Sequence, residues 1–162
     1  MTCTRPIWGR RCPQTGKVKF NPSLHSIKNE EELCVPCGQC MSCRLEKARQ
    51  WAMRCMHEAS CHDENCFITL TYEDKKLPSD MSLQKAHLSK FMKDIRNHED
   101  YRQKRKIRFF GCGEYGDETN RPHYHALLFG YYPEDKKFHT RTENGDNLNT
   151  SDILDKVWGR GH

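Results

Sequence analysis

An α+β fold, with helices packed on an antiparallel sheet, follows from three features of the chain. Two segments repeat apolar residues at three- and four-residue steps. Three short runs are rich in aromatic and β-branched residues. A glycine-rich turn then joins two of those runs, so they pair as an antiparallel hairpin. At 162 residues the length suits one domain with a real core.

Residues 1–33 hold three prolines and little periodicity, and read as an irregular arm. From about Met41 the pattern turns helical, with Leu45, Ala48, Ala52, Cys55 and Ala59 on one face. "CFITLTY", Cys66 to Tyr72, is a strand by β-propensity, and Pro78 marks the loop after it. The next helix buries Leu88, Phe91, Met92 and Ile95. "KIRFFGCGEYG" is a strand that ends in a glycine-rich turn. "RPHYHALLFG" is a buried strand closed by Gly130. Residues 131–149 read as a loop or a variable hairpin, and "TSDILDKVW" as a last short helix with a capping hydroxyl. The domain reading is a cysteine-rich arm over 1–45 and a catalytic-type domain over 46–162.

Charge and composition narrow the function. Lys and Arg outnumber Asp and Glu by 27 to 22, and the excess is clustered. "RQKRKIR" supplies Arg102, Lys104, Arg105, Lys106 and Arg108, and the first helix supplies Arg44, Lys47, Arg49 and Arg54. Such clusters face nucleic-acid phosphates, or else form a solvated helix face. No run is long enough to span a membrane and no signal peptide is evident, so a soluble cytosolic protein is expected.

Ten cysteines in a chain without a secretory signal favour metal over disulfides. "CVPCGQCMSC" places Cys34, Cys37, Cys40 and Cys43 at one spacing, and Gly38 supplies a permissive turn. A zinc knuckle on Cys37, Cys40 and Cys43 is expected. Its fourth ligand comes from the arm, with Cys3 ahead of Cys12. Cys55, Cys61, Cys66 and Cys112 read as small buried hydrophobes.

Side chains alternate along a strand, so His123 and His125 share a face and Tyr124 takes the other. Two parallel imidazoles share a metal ion or sit half-buried in a core. Glu114, at the end of the preceding strand, can approach both across the hairpin, or can pair with Arg121 or Arg108. Two imidazoles and a carboxylate suit Mg²⁺, Mn²⁺ or Zn²⁺, and an ion held there can clamp a scissile phosphate. A histidine-triad hydrolase would want a third alternating histidine where Leu127 stands. A zinc deaminase would want its cysteines after the histidine.

The histidine strand resembles an HUH motif, histidine–hydrophobic–histidine, of rolling-circle replication endonucleases. "VPCGQCMSCRLEKARQWAMRCMHEA", "NCFITLTYEDKKLP" and "RFFGCGEYGDETNRPHYHALLFG" resemble the replication initiators of the small single-stranded DNA phages, the Microviridae, in their gokushovirus branch. The resemblance runs from roughly Val35 to Gly130. It implies an HUH/Rep-like domain with a ferredoxin-like core, with Mg²⁺ or Mn²⁺ on His123, His125 and Glu114. It implies nicking and joining of single-stranded DNA at a phage origin in the cytoplasm of a bacterial host, with host replication machinery as a further partner. Tyr72 or Tyr115 would stack on bases. The family's nucleophile is a tyrosine on a helix downstream of the histidines. Here Tyr132 and Tyr101 are weak candidates, and the expectation is that the tyrosine helix lies beyond this chain. The alternative is a non-catalytic, zinc-stabilised DNA-binding remnant.

Overall fold

The computed structural model describes residues 3–20, 31–103 and 106–162, and the side chains of these except residues 99–103. The chain forms two compact units, Met1–Met56 and His57–His162. The architecture is α+β, with antiparallel sheets and few helices.

In the first unit, β1 (Ile7–Arg11) pairs with β2 (Val18–Phe20) and with β3 (Glu31–Val35). The irregular arm expected here is therefore a three-stranded antiparallel sheet. Its strands escape pattern reading because both faces stay open, so no alternation of apolar and polar residues is required. Ile7, Trp8, Val18 and Phe20 are all exposed. Gly9 is the exception, because a Cβ there would stand 2.9 Å from both the Lys19 carbonyl oxygen and the Phe20 ring. The helix α1 (Met41–Ala59) forms as its periodicity predicts, yet none of its residues is buried.

The second unit is built on a sheet of β4 (Asn65–Leu70), β5 (Arg108–Tyr115) and β6 (Pro122–Phe129), in the order β4-β6-β5. Both outer strands run antiparallel to β6, so β4 and β5 are parallel to each other. They are joined through α2 (Lys85–Gln103), which makes a split β-α-β arrangement. The predicted hairpin pairs Glu114 with His123 and Cys112 with His125.

One face of this sheet holds the core. Ile68, Leu70, Tyr124, Ala126 and Leu128 alternate onto it and meet Phe91, Met92 and Ile95 of α2. Leu88 packs at the margin of the same cluster. Trp158 closes it from α3 (Asp152–Trp158), with its ring 5.3 Å from Tyr72 and 5.8 Å from Tyr124. Its indole N–H donates to the Thr71 carbonyl at 2.7 Å. The 131–149 segment forms a hairpin, β7 (Lys137–Arg141) with β8 (Asn147–Thr150). Ser151 caps α3 as predicted, accepting from the Leu154 amide at 3.2 Å.

Two of the four cysteines expected to be buried are not. Cys61 and Cys112 are exposed. Cys112 shares a strand face with Glu114, and that is the face the helices leave open. Cys66 fits the expectation better, since burial pushes its thiol up to about 12.

Candidate metal site on the open sheet face

Strand parity builds the site. The even-numbered positions of β6 supply the core, so His123 and His125 lie on the opposite face of the sheet and are half-buried. The register sets Glu114 directly across from His123. One Glu114 oxygen, Oε2, lies 3.4 Å from His125 Nε2 and 3.9 Å from His123 Nε2. The imidazole centroids are 4.8 Å apart and their planes cross at 87°. One ligand atom from each of the three residues falls within 4.8 Å of the other two.

The rear nitrogens are occupied as a metal site requires. His123 Nδ1 donates to the Arg121 carbonyl at 3.2 Å, and His125 Nδ1 meets the Thr69 hydroxyl at 3.0 Å. A hydrogen bond at Nδ1 orients the ring and leaves the Nε2 lone pair facing forward. The competing partners for Glu114 are engaged elsewhere. Arg121 binds Asp74 at 2.7 Å and the Tyr72 carbonyl at 2.9 Å. Arg108 binds Glu58 at 2.8 Å. The two histidines are thus the partners this geometry offers Glu114.

Thr69 and Phe67 were missed by sequence reasoning. Both lie in the predicted strand "CFITLTY", but their role depends on strand order, which places β4 beside β6. Phe67 is 63% exposed and stacks on His125, with centroids 5.3 Å apart and planes at 17°.

The phenols sit apart from this face. Tyr124 points into the core, as parity predicts. Tyr72 does not offer itself to bases. It is buried beneath α2, its hydroxyl 2.6 Å from His87 Nδ1 and 3.1 Å from the Tyr124 hydroxyl, and burial pushes its pKa up. Tyr115 is exposed, and its hydroxyl accepts from the Leu83 amide at 3.1 Å. Tyr132 accepts from Lys136 Nζ at 2.7 Å, in an irregular segment rather than a helix. Tyr132 and Lys136 line a cleft of about 460 Å³ along β4, together with Phe67 and Thr69.

The basic residues divide. Arg44, Lys47, Arg49 and Arg54 lie on α1, which buries none of its residues, and Lys106 is exposed ahead of β5. Arg108 is held by Glu58. Lys104 and Arg105 lie outside the described residues, as do the side chains of Tyr101 and Arg102.

A second constellation lies in the first unit, where Cys3, Cys37, Cys40 and Cys43 bring their sulfurs within 4.8 Å of one another. Cys12 and Cys34 are not members. Hydrogen bonds from the Thr4 and Cys43 backbone hold the Cys40 thiol down at about 5. The Gly38 amide pulls Cys43 the same way, but burial and the neighbouring sulfurs push it up to about 12. Among the described residues no helix is long and apolar enough to cross a membrane.

Comparison with known proteins agrees with this arrangement. The chain is 36% identical to replication-associated protein VP4 of Bdellovibrio phage phiMH2K, over all of this chain and 52% of that protein. It is 35% identical to replication-associated protein ORF4 of Chlamydia phage 1, over 70% of this chain and 28% of the relative. It is 28% identical to replication-associated protein ORF2 of Spiroplasma virus 4, over 99% of this chain and 54% of the relative. The chain thus spans at most about half the length of these relatives. No solved structure matches it. The family model for the ORF2 type of replication-associated protein matches residues 65–162, the span that carries β4, β6 and the histidine pair, and the chain belongs to that family.

Proposed function

We propose that this chain carries the metal-dependent, HUH-type nicking and joining site of a phage rolling-circle replication initiator, with single-stranded DNA at the phage origin as substrate. The observation that carries the reading is the triad of Glu114, His123 and His125, with both histidines fixed from behind and the sheet face in front of them open. The split β-α-β arrangement supports a ferredoxin-like core for it. His123 and His125 would hold Mg²⁺ or Mn²⁺ through Nε2, with Glu114 as the third ligand. A bound ion supplies positive charge to the scissile phosphate. Thr69 and the Arg121 carbonyl keep the imidazoles in place, and Phe67 offers a ring on which the adjacent base stacks. The reaction belongs in the bacterial host cytoplasm, where the free 3′-OH serves host replication machinery.

The nucleophile is a separate matter. Joining through a tyrosine requires the phenol within roughly 3–3.5 Å of the phosphorus, in line with the leaving oxygen. Tyr124 and Tyr72 are buried in the core, and Tyr132 is bound to Lys136. This supports a second reading for the 162 residues by themselves: DNA binding without turnover.

Manganese titration by calorimetry is the direct test of the ion site. The wild-type chain should bind one Mn²⁺, and His123→Ala with His125→Ala should abolish it. Unchanged binding in the double variant would overturn the site. Incubation with manganese and circular single-stranded phage DNA should give retention on DNA but no covalent band. If a covalent band forms and disappears in Tyr132→Phe, Tyr132 is the nucleophile and the second reading fails.

A further inference from the structure

The first unit lacks a hydrophobic core. Among the described residues from Cys3 to Met56, Gly9 is the one that is buried. Its strands are of five, three and five residues. A three-stranded sheet of this size needs an apolar face or a staple to persist. Ile7, Trp8, Val18 and Phe20 remain 40–55% exposed, so the apolar face is missing.

Four sulfurs stand where a staple would. Cys3 Sγ lies 3.6 Å from Cys37 Sγ and 3.8 Å from Cys40 Sγ. Zinc–sulfur bonds of about 2.3 Å in a tetrahedron set sulfur–sulfur edges of about 3.8 Å. The surrounding backbone also suits thiolates. The Cys37 amide donates to Cys3 Sγ at 3.3 Å, and the Gln39 and Cys40 amides donate to Cys37 Sγ at 3.4 and 3.3 Å. Gly38 makes that turn possible at φ 73°, a left-handed conformation that glycine adopts at little cost.

The position on α1 adds a further term. The Arg44 amide donates to the Cys40 carbonyl at 3.0 Å, which sets Cys40 and Cys43 at the helix N-terminus. The first turn of α1 carries no acidic residue. Thiolates there would meet the positive end of the helix dipole.

From this geometry we infer that Cys3, Cys37, Cys40 and Cys43 hold one structural zinc ion that stands in for a core in the first unit. It ties the residues before β1 to the turn between β3 and α1, and so closes the loop that contains the whole sheet. Four protein sulfurs complete a tetrahedron and leave no open position, so the site is structural rather than catalytic. The inference is independent of the nicking reading, because none of its residues belongs to the histidine triad.

The test uses the full chain purified without added metal. Elemental analysis should find one zinc per chain, and cobalt exchange should give the visible bands of tetrahedral thiolate cobalt. Cys40→Ser should lose the bands, while Cys34→Ser and His123→Ala should keep them. Because a serine variant can simply misfold, the wild-type chain is also followed by hydrogen exchange. A chelator should strip protection from β1 and β3 and leave β4, β5 and β6 protected. Zinc well below one per chain, iron in its place, bands that survive Cys40→Ser, or β1 and β3 amides indifferent to chelation would each overturn the inference.

Discussion

Asp135 shows how a single residue far from any pattern can hold an element. Its carboxylate accepts from the Ser151 hydroxyl at 2.6 Å and from the Ile153 amide at 2.9 Å. It therefore reinforces the N-terminus of α3, whose Trp158 closes the core. Burial alone would raise this carboxyl, but the hydrogen bonds from Ser151 and Ile153 outweigh it and hold the pKa below its ordinary value. A depressed folded-state pKa gives stability that is fully present above the unfolded value and is lost as pH falls through the folded one. Asp135→Ala should thus cost about 1 kcal/mol at pH 7, the usual worth of a cap. Urea melts should show that difference shrinking once the pH drops below the folded pKa. Equal losses at both pH values would mean that the carboxylate charge plays no part.

Among the elements, β5 gives the two faces of its "GCG" separate tasks. Gly111 and Gly113 lie on the helix-covered side. A Cβ at Gly111 would stand 3.3 Å from Leu88 Cδ2, and one at Gly113 would stand 2.7 Å from Leu83 Cδ2. The glycines let Leu83 and Leu88 settle close against β5. Cys112 and Glu114 take the open side, across from His125 and His123. Adding a side chain at Gly113 displaces Leu83, the end of a flexible chain, so Gly113→Val should cost roughly 1–3 kcal/mol of overpacking. Thermal denaturation measures this. Manganese affinity should stay near wild type below the melting range, because the Glu114 face is untouched. A thermally neutral Gly113→Val would show that Leu83 moves aside freely.

Across the molecule, a formal charge of +5 is distributed unevenly between free and engaged cations. Arg44, Lys47, Arg49 and Arg54 belong to one helix that buries nothing, and the Arg49–Glu46 contact of 3.8 Å is an exposed pair of little strength. Arg108 is tied to Glu58 at 2.8 Å, and Glu58 also binds His62 at 2.9 Å. Each phosphate neutralised on single-stranded DNA contributes about 0.7 to the slope of log affinity against log salt. Replacing the four α1 cations by glutamine should flatten that slope by up to about 3. Arg108→Gln should leave it nearly unchanged. Fluorescence anisotropy with a labelled oligonucleotide at several salt concentrations decides between them. An unaltered slope in the fourfold variant would remove α1 from the DNA-binding surface.

Elements whose side chains must choose between a core and water were legible in the chain alone. Periodicity placed α1, α2 and α3, and alternation placed β4, β5 and β6, because one-sided burial leaves a readable period. Parity in paired strands is a local property, so it also set His123, His125 and Glu114 on one face. Spacing named Cys37, Cys40 and Cys43 for the same reason. Contacts between distant segments settled the rest, and these only the folded chain reveals. The N-terminal sheet buries almost nothing, so its strands leave no pattern, and backbone pairing alone discloses them. Cys3 joins the other sulfurs from 34 residues before Cys37, a closure that no spacing rule contains. Thr69 reaches His125 across 56 residues because β4, rather than another strand, lies beside β6. Arg121 is drawn to Asp74 and Arg108 to Glu58, and this leaves Glu114 to the histidines. Local chemistry chose the residues, and long-range pairing chose their partners.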